Sequence, residues 1–544
     1  MQPECENEVD VVVVGSGSSG CAAALAFHEH GFKTILLEKG AVLGGGTTYS
    51  AGGIWIPDNH LQREAGIEDS TEEGAEYLRF LAAGYADEAN LRSYIDNGPP
   101  ALEYFAGLGL KFHVIRNVPD IYMGMAPGAK KEGRMIEIDL FPGYELGEWR
   151  EKVLTSPFTL TRATFDEAVR WGGRGSYKGW DPAVQAQRQK DDMRALGAGL
   201  VAAFVKQLLD RKIPIYIESP AERLVVEGNK VTGLVATIKG VSRHIKVRQT
   251  VVLATGGYEA NQELLKSYED IPGLRNMFPE TLTGDGLTMG AEVGARVRLI
   301  PRSLMLFLGY DVPARNGRPA MFRNAGTSEI PQPHSIIVNS HGKRFGDEAF
   351  FQKLQAGLRG FDAPSHTYPN LPCYWIFDSQ YASKYSFSGL PIGEIPEFVA
   401  SGNTLEELSA KLSINGAGLR SEVQRFNQFV ANGKDEDFGR GNESWSKNYS
   451  GDLTNKNANL GSLEKGPFYG IQLHPCGISS AGLLTNATGQ VMNQRGQPIG
   501  GLYALANCSA GIEYGVGYQA GLTLGKGMIF AWLAAKQTKE LAGA

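Results

Sequence analysis

The stretch VDVVVVGSGSSGCAAALAFHEHGFKTILLEKG, residues 9–40, restricts the fold more than any other part of the chain. Val9 to Val14, Asp10 apart, is an apolar run of the kind that forms a strand covered on both faces of a parallel sheet. Gly15, Gly17 and Gly20 follow in G-x-G-x-x-G spacing, with Ser18 and Ser19 inside the motif and an alanine-rich helix behind it. A second strand, KTILLE, ends at Glu38, with Lys39 next. Glycines so spaced allow a tight turn and let a pyrophosphate come close to a helix N-terminus. An acidic residue about twenty positions further on suits the hydroxyls of a ribose. A glycine triplet alone is a weak signal. With strand, helix, second strand and acidic residue in place, it predicts a dinucleotide site.

The next segment separates the flavin dinucleotide from the nicotinamide one. KGAVLGGGTTYSAGGIWIPDN supplies Gly45, Gly46, Thr47, Thr48, Ser50, Gly52 and Gly53 directly after the ribose-binding strand. A second glycine-rich loop there is more than a nicotinamide site requires, and it suits the extended path of FAD. Three later segments agree. QTVVLATGGYEAN runs a strand into Ala254, Thr255 and Gly256, placed to close over the adenosine half. LTGDGLTMGAEVGA offers Asp285 at a helix start, as cap or ligand. GLYALANCSAG is again a strand entering a glycine loop, at Asn507, and Leu522, Thr523 and Leu524 open the final helix. FAD-binding segments at both ends of the chain imply an insertion between them.

A length of 544 residues favours two or three folding units, and a net charge of −6 gives no reason to expect nucleic acid or an anionic membrane surface. The five cysteines are scattered without paired spacing, which argues against a metal site or disulfide framework and fits a reducing compartment. No apolar run approaches the ~20 residues of a membrane span. A cytoplasmic protein is expected. The charged segment GKDEDFGRGNES reads as a solvated connector, and His334 and His474 read as structural, with His474 near the flavin edge.

In order along the chain, GGGTTYSAGGIW, ATGGYEAN, TGDGLTMG, IIVNSHGKRFGDE, GLLTNATGQVMNQRGQPIGGLYALAN and GYQAGLTLGKGM resemble the FAD-dependent fumarate reductase and 3-ketosteroid dehydrogenase superfamily. The resemblance implies an α/β, Rossmann-like FAD domain of the glutathione-reductase type, split into residues 1–298 and 466–544. An α+β catalytic domain, 299–465, would be inserted in it. Within that superfamily the dicarboxylate branch fits badly. The loop from Thr47 to Trp55 has no histidine for covalent flavin attachment, so FAD is expected to be non-covalent. Gln352 stands where an arginine is expected, and no arginine follows Arg495.

The ketosteroid dehydrogenase branch, with its cyclohexanone dehydrogenase relatives, needs tyrosines instead. Its chemistry takes a proton from the carbon beside a ketone and moves a hydride from the next carbon to flavin N5, while donors hold the ketone oxygen. By this resemblance Tyr518 in GYQAGLTLG donates its O–H to that oxygen and Gly521 its N–H, in a loop one residue shorter than in the steroid enzymes. NVPDIYMG places Tyr122 in the site as base or its assistant, the structural alternative being a packing tyrosine. At the usual position of the base the sequence reads KRFGDEAFFQ, with Phe350 and Phe351, neither of which takes a proton. Tyr122, Tyr177 in RWGGRGSYKGW and Tyr514 are then the candidates for the base. The expected substrate is a cyclic ketone, a small alicyclic ring or a 3-ketosteroid. The expected electron acceptor is external: quinone-like, a carrier protein or O2. The alternative is an enoate or enone reductase with an external donor. No metal is expected.

Overall fold

The computed structural model describes residues 7–156, 162–173, 180–301, 305–315 and 320–543. Strand β1 (Glu8–Val14) leads into helix α1 (Ser18–Glu29) and strand β2 (Thr34–Leu37), the predicted βαβ unit. Val9, Val11, Val12 and Val13 are fully buried. Each such side chain contributes roughly 1.5–3 kcal/mol of apolar burial. β1 pairs in parallel with β2 on one side and with the strand Val241–Leu253 on the other. Val241–Leu253 pairs in parallel with Pro498–Ala504, and β2 with Ile215–Tyr216. The parallel strands thus bring Val14, Leu37, Leu253 and Ala504 to one carboxyl edge, where ligands of such sheets bind.

The final helix, Leu522–Gly543, packs across α1. A Cβ at Gly527 would stand 1.9 Å from Ser19 Oγ, so the two helices touch with nothing between them.

The inserted domain is a second, largely antiparallel sheet with helices. Its strands are Met305–Val312, Met321–Asn324, Ser335–Asn339, Cys373–Asp378, Ala400–Gly402 and Phe468–Ile478. Phe468–Ile478 is central: it pairs with Met305–Val312, Cys373–Asp378 and Ala400–Gly402. The inserted sheet therefore extends beyond residue 465, and the chain returns to the FAD-type domain only after Ile478. The crossing is a short ribbon in which Val297, Arg298 and Leu299 pair with Leu483, Gly482 and Ala481.

The segment GKDEDFGRGNES is solvated only in part: Lys434, Glu436 and Asp437 are exposed, and Asp435 and Arg440 are buried. Arg440 is fully buried and donates to the carbonyls of Asn459, Ser335, Ile330 and Gln332 and to Glu348. Asp435 accepts both terminal nitrogens of the equally buried Arg344. Two of its charges, Asp435 and Arg440, are matched inside rather than by water, which a charge run does not disclose. His474 pairs across the inserted sheet with Gly309, 3.7 Å from Asp311, and is absent from the cleft wall described below.

Gly20 tests this packing. A Cβ there would stand 1.9 Å from the Gly15 carbonyl oxygen. Gly20→Ala is expected to lower stability by about 3 kcal/mol, the upper end of the overpacking range, measured by chemical denaturation.

Candidate active site

A cleft follows the carboxyl edge of the parallel sheet and continues beneath the inserted domain, with a cavity volume of about 280 Å³. Its first half is built by the βαβ unit. Gly15 has φ +101° and a Cβ would lie 2.4 Å from the Ala254 carbonyl, so only glycine makes this turn. Glu38 is buried on the wall: its Oε2 accepts from Ser16 N at 3.1 Å and Ser16 Oγ at 2.5 Å, and Oε1 accepts from Gly40 N at 2.7 Å. Ser16 was not anticipated, and it orients the carboxylate toward the cleft. Lys39 donates to Thr283 Oγ1 at 2.5 Å and to Asp285 Oδ2 at 2.7 Å. Asp285 is not a helix cap. Gly284, at φ +80°, holds the N-cap position, and Asp285 begins the helix Asp285–Glu292.

The expected cofactor residues divide cleanly. Gly15, Gly17, Ser19, Glu38 and Lys39 line the cleft, as do Gly45, Gly46, Thr47, Ser50, Gly52 and Gly53 from the second glycine loop. Ala254, Thr255, Gly256 and Asp285 line it from the third segment, and Asn507, Thr523 and Leu524 from the C-terminal one. Four stand behind this wall. Ser18 donates its N–H to Thr47 Oγ1 at 3.2 Å, joining the two glycine loops. Gly20 packs α1 on the turn below it, Thr48 donates to the Gly45 carbonyl at 3.0 Å, and Leu522 is fully buried.

These residues fit FAD. The buried atom Glu259 Oε2 lies on a cleft residue and has no partner among the described residues. A Cβ at Gly45 would meet nothing within 4 Å. Glu259, also unanticipated, accepts from Ser479 N and Oγ at 3.0 Å through its other oxygen, and burial raises its pKa. Two helix N-termini, of α1 and of Leu522–Gly543, reach this wall through Ser19 and Thr523, and such ends favour anionic groups.

The inserted-domain end of the cleft is largely apolar, with Asn324 and Thr327 as polar members. Met305, Phe307, Phe351 and Ile478 line it from the inserted domain, with Tyr518, Ala520 and Gly521 opposite. Gly521, at φ +91°, accepts from Trp55 N at 3.2 Å, and a Cβ would lie 2.6 Å from that nitrogen. Among the described residues its own N–H has no acceptor. Between Tyr518 and Gly521, the buried Gln519 accepts from Tyr77 Oη at 2.6 Å and Ile121 N at 2.8 Å through Oε1. The loop is thus tied down at each side of the two donors. Burial pushes the Tyr518 hydroxyl well above its ordinary pKa, which keeps it protonated and able to donate.

The other tyrosines fall elsewhere. Tyr122 is not on the cleft wall: its ring stands edge-on to Phe350 at 6.0 Å, and Phe350 lies behind Phe351, which is on the wall. Burial pushes the Tyr122 hydroxyl up to about 12. Tyr514 lines an adjoining recess with Ser479, Ser509 and Gly511, and burial, reinforced by Glu513, raises its pKa. Tyr177 lies outside the described residues. Two residues that sequence reasoning missed, Trp445 and Tyr449, do line the cleft. Their i, i+4 spacing was the available signal, hidden at the end of a segment taken for solvent. Lys526 was also missed. It is fully buried, donates to the Ala510 carbonyl at 2.5 Å and pairs with Glu513 at 3.0 Å, fixing the start of the tyrosine loop.

Glu38→Ala removes the acceptor of three hydrogen bonds on the cofactor wall. It is expected to weaken FAD binding at least about tenfold, or 1.4 kcal/mol, in a fluorescence titration of the apoprotein.

The comparisons agree with this geometry. The FAD binding domain family matches residues 10–524. The 4-oxocyclohexanecarboxylate 2-dehydrogenase of Sinomonas cyclohexanicum is 34% identical, the match covering 97% of this chain and 92% of that protein. A 3-oxosteroid 1-dehydrogenase of Mycolicibacterium smegmatis is 31% identical over 99% of this chain and 98% of its own. The crystal structure of 3-ketosteroid Δ1-dehydrogenase from Sterolibacterium denitrificans, in complex with 1,4-androstadiene-3,17-dione, superposes with a TM-score of 0.90 at 29% identity. It covers 98% of this chain and 100% of that one. No helix among the described residues is long and apolar enough to cross a membrane. The chain belongs to the FAD binding domain family, as an FAD-dependent oxidoreductase of the ketosteroid dehydrogenase branch.

Proposed function

We propose that this enzyme introduces an α,β (1,2) double bond into an alicyclic ketone and passes the electrons to an external acceptor. The observation that carries the reading is the pair of donors at the apolar end of the cleft, the Tyr518 hydroxyl, kept protonated by burial, and the Gly521 N–H, which has no acceptor among the described residues. Both would point at one carbonyl oxygen. As the α-proton leaves, negative charge gathers on that oxygen, and fixed donors there stabilise the enolate more than the ketone. Gln519, Tyr77 and Trp55 hold the donors in place beforehand, so little reorganisation is needed. Bound FAD supplies the two-electron oxidant. The N-terminus of Leu522–Gly543 favours the negative charge that builds up as hydride departs.

The apolar lining by Met305, Phe307, Phe351 and Ile478 supports an uncharged ring as the substrate. By name, relatives act on a 4-oxocyclohexanecarboxylate and on 3-oxosteroids. Cyclohexanone is the simplest ketone that fits the apolar end. In an anaerobic cuvette, cyclohexanone is expected to bleach the visible flavin band and yield cyclohexenone. Bleaching by a 3-ketosteroid alone would transfer the reading to the larger ring. Reoxidation of reduced enzyme by an enone, with no bleaching by any ketone, would replace it with the reductase reading.

Tyr518→Phe removes one of the two donors. It is expected to keep its flavin and to slow bleaching by about 10²–10³, as loss of one such donor does elsewhere. An unchanged rate would remove Tyr518 from the ketone site.

A further inference from the structure

Holding the ketone oxygen does not remove the α-proton, and the wall at Phe351 offers no acceptor for it. The ring would lie between the flavin, carried by the parallel-sheet domain, and the inserted domain above. A base opposite the flavin therefore has to come from the inserted side. Among the described residues of the cleft wall three are tyrosines: Tyr49, Tyr449 and Tyr518. Tyr49 belongs to the cofactor loop and faces Glu280. Tyr518 is the ketone donor. Glu259 sits on the turn after Val241–Leu253, held by Ser479 on the cofactor side. Tyr449 alone of these comes from the inserted domain.

Tyr449 is also built in as a fixed group. It lies in a π-helical turn, Ser446–Ser450, a wide turn that often marks a functional position. The turn is held at both ends: the Ser446 carbonyl accepts from Asn459 Nδ2 at 3.2 Å, and the Ser450 carbonyl from Gln332 Nε2 at 2.5 Å. The Tyr449 ring stacks on Trp445 with centroids 4.0 Å apart and planes 20° from parallel. Phe165 backs it at 4.7 Å. Its side chain is near enough to Tyr518 for a charge on one to act on the other.

We propose that Tyr449 is the catalytic base that removes the α-proton of the ketone. The assignment rests on the ring-desaturation reading above. The Tyr449 phenolate oxygen takes the proton and becomes the phenol. The electron pair of the broken C–H bond forms the new carbon–carbon double bond, as the β-hydrogen departs with its own pair to the bound flavin, the oxidant. Tyr518 and Gly521 carry the transient charge on the ketone oxygen. The Tyr449 proton then passes to water, which restores the phenolate for the next turnover.

The test compares wild-type and Tyr449→Phe holoenzymes in anaerobic stopped flow with cyclohexanone. Tyr449→Phe is expected to retain its flavin and to bleach about 10²–10⁴ times more slowly, the usual loss for a positioned base. Exchange of the α-hydrogens with D2O, followed by NMR on the enzyme with its flavin already reduced, should be lost in step. Bleaching and exchange at the wild-type rate would overturn the assignment and leave the desaturation reading standing. Loss in Tyr122→Phe instead would move the base to Tyr122. A wild-type enzyme that no ketone bleaches would overturn both. If the Phe variant fails to hold flavin, Tyr449→His keeps a proton acceptor at the same place. Bleaching by it supports the assignment, and a flavin-loaded but inert His variant counts against it.

Discussion

Three hydrogen bonds at the carboxyl edge of the parallel sheet set the position of everything else. Gly15 N donates to the Leu37 carbonyl, Ala254 N to that of Val14, and Leu505 N to that of Leu253. Each bond joins the first residue past one strand to the last residue of its neighbour. Four strands therefore end level, and the turns that leave them are stacked in one row. A one-residue slip in any pair would turn a strand's apolar side chains to the wrong face and move its loop out of the row. The cleft is this row of turns, roofed by the inserted sheet.

The roof and the floor meet at the ketone end, and their chemical division of labour follows from where each is anchored. The two donors sit on a loop bonded to Trp55, Tyr77 and Ile121 of the FAD-type domain. The aromatic wall and Tyr449 are anchored in the inserted domain through Arg440, Asn459 and Gln332. Buried hydrogen bonds to main-chain groups hold both anchors in place. Tyr518 illustrates the electrostatic result. Burial holds its proton on, so the residue serves as a donor to the ketone oxygen.

Most of the cofactor half was legible in the sequence because it depends on local signals. Glycine spacing, a strand's apolar run and an acidic residue at a fixed distance are each set by a few consecutive residues. The four residues that fall behind the wall, Ser18, Gly20, Thr48 and Leu522, lie within the same motifs and support the loops instead of facing the ligand. The substrate half was much less legible. Tyr122 sits in the expected segment, yet it packs edge-on against Phe350 and is not on the wall, which only the packing of two distant segments decides. Trp445 and Tyr449 follow a run of charges whose partners, Arg344 and Glu348, are about ninety residues earlier. Phe468–Ile478 reads from sequence as a strand of either sheet, and its pairing partners, all distant in sequence, are those of the inserted one.

The pairing of Val251, Val252 and Leu253 with Leu502, Tyr503 and Ala504 has a kinetic consequence. The two strands are neighbours in space, but the whole inserted domain separates them along the chain. A pairing across so long a loop brings no gain until the ends have met, and topologies rich in such contacts fold slowly. During synthesis, the β1–α1–β2 unit emerges first and waits with one side of its sheet open. The floor that carries Asn507 and Tyr518 can dock only after the whole inserted domain has been made. Flavin retention in this chain is therefore a report on the completed molecule, and a truncated or stalled chain has the fingerprint glycines without the site.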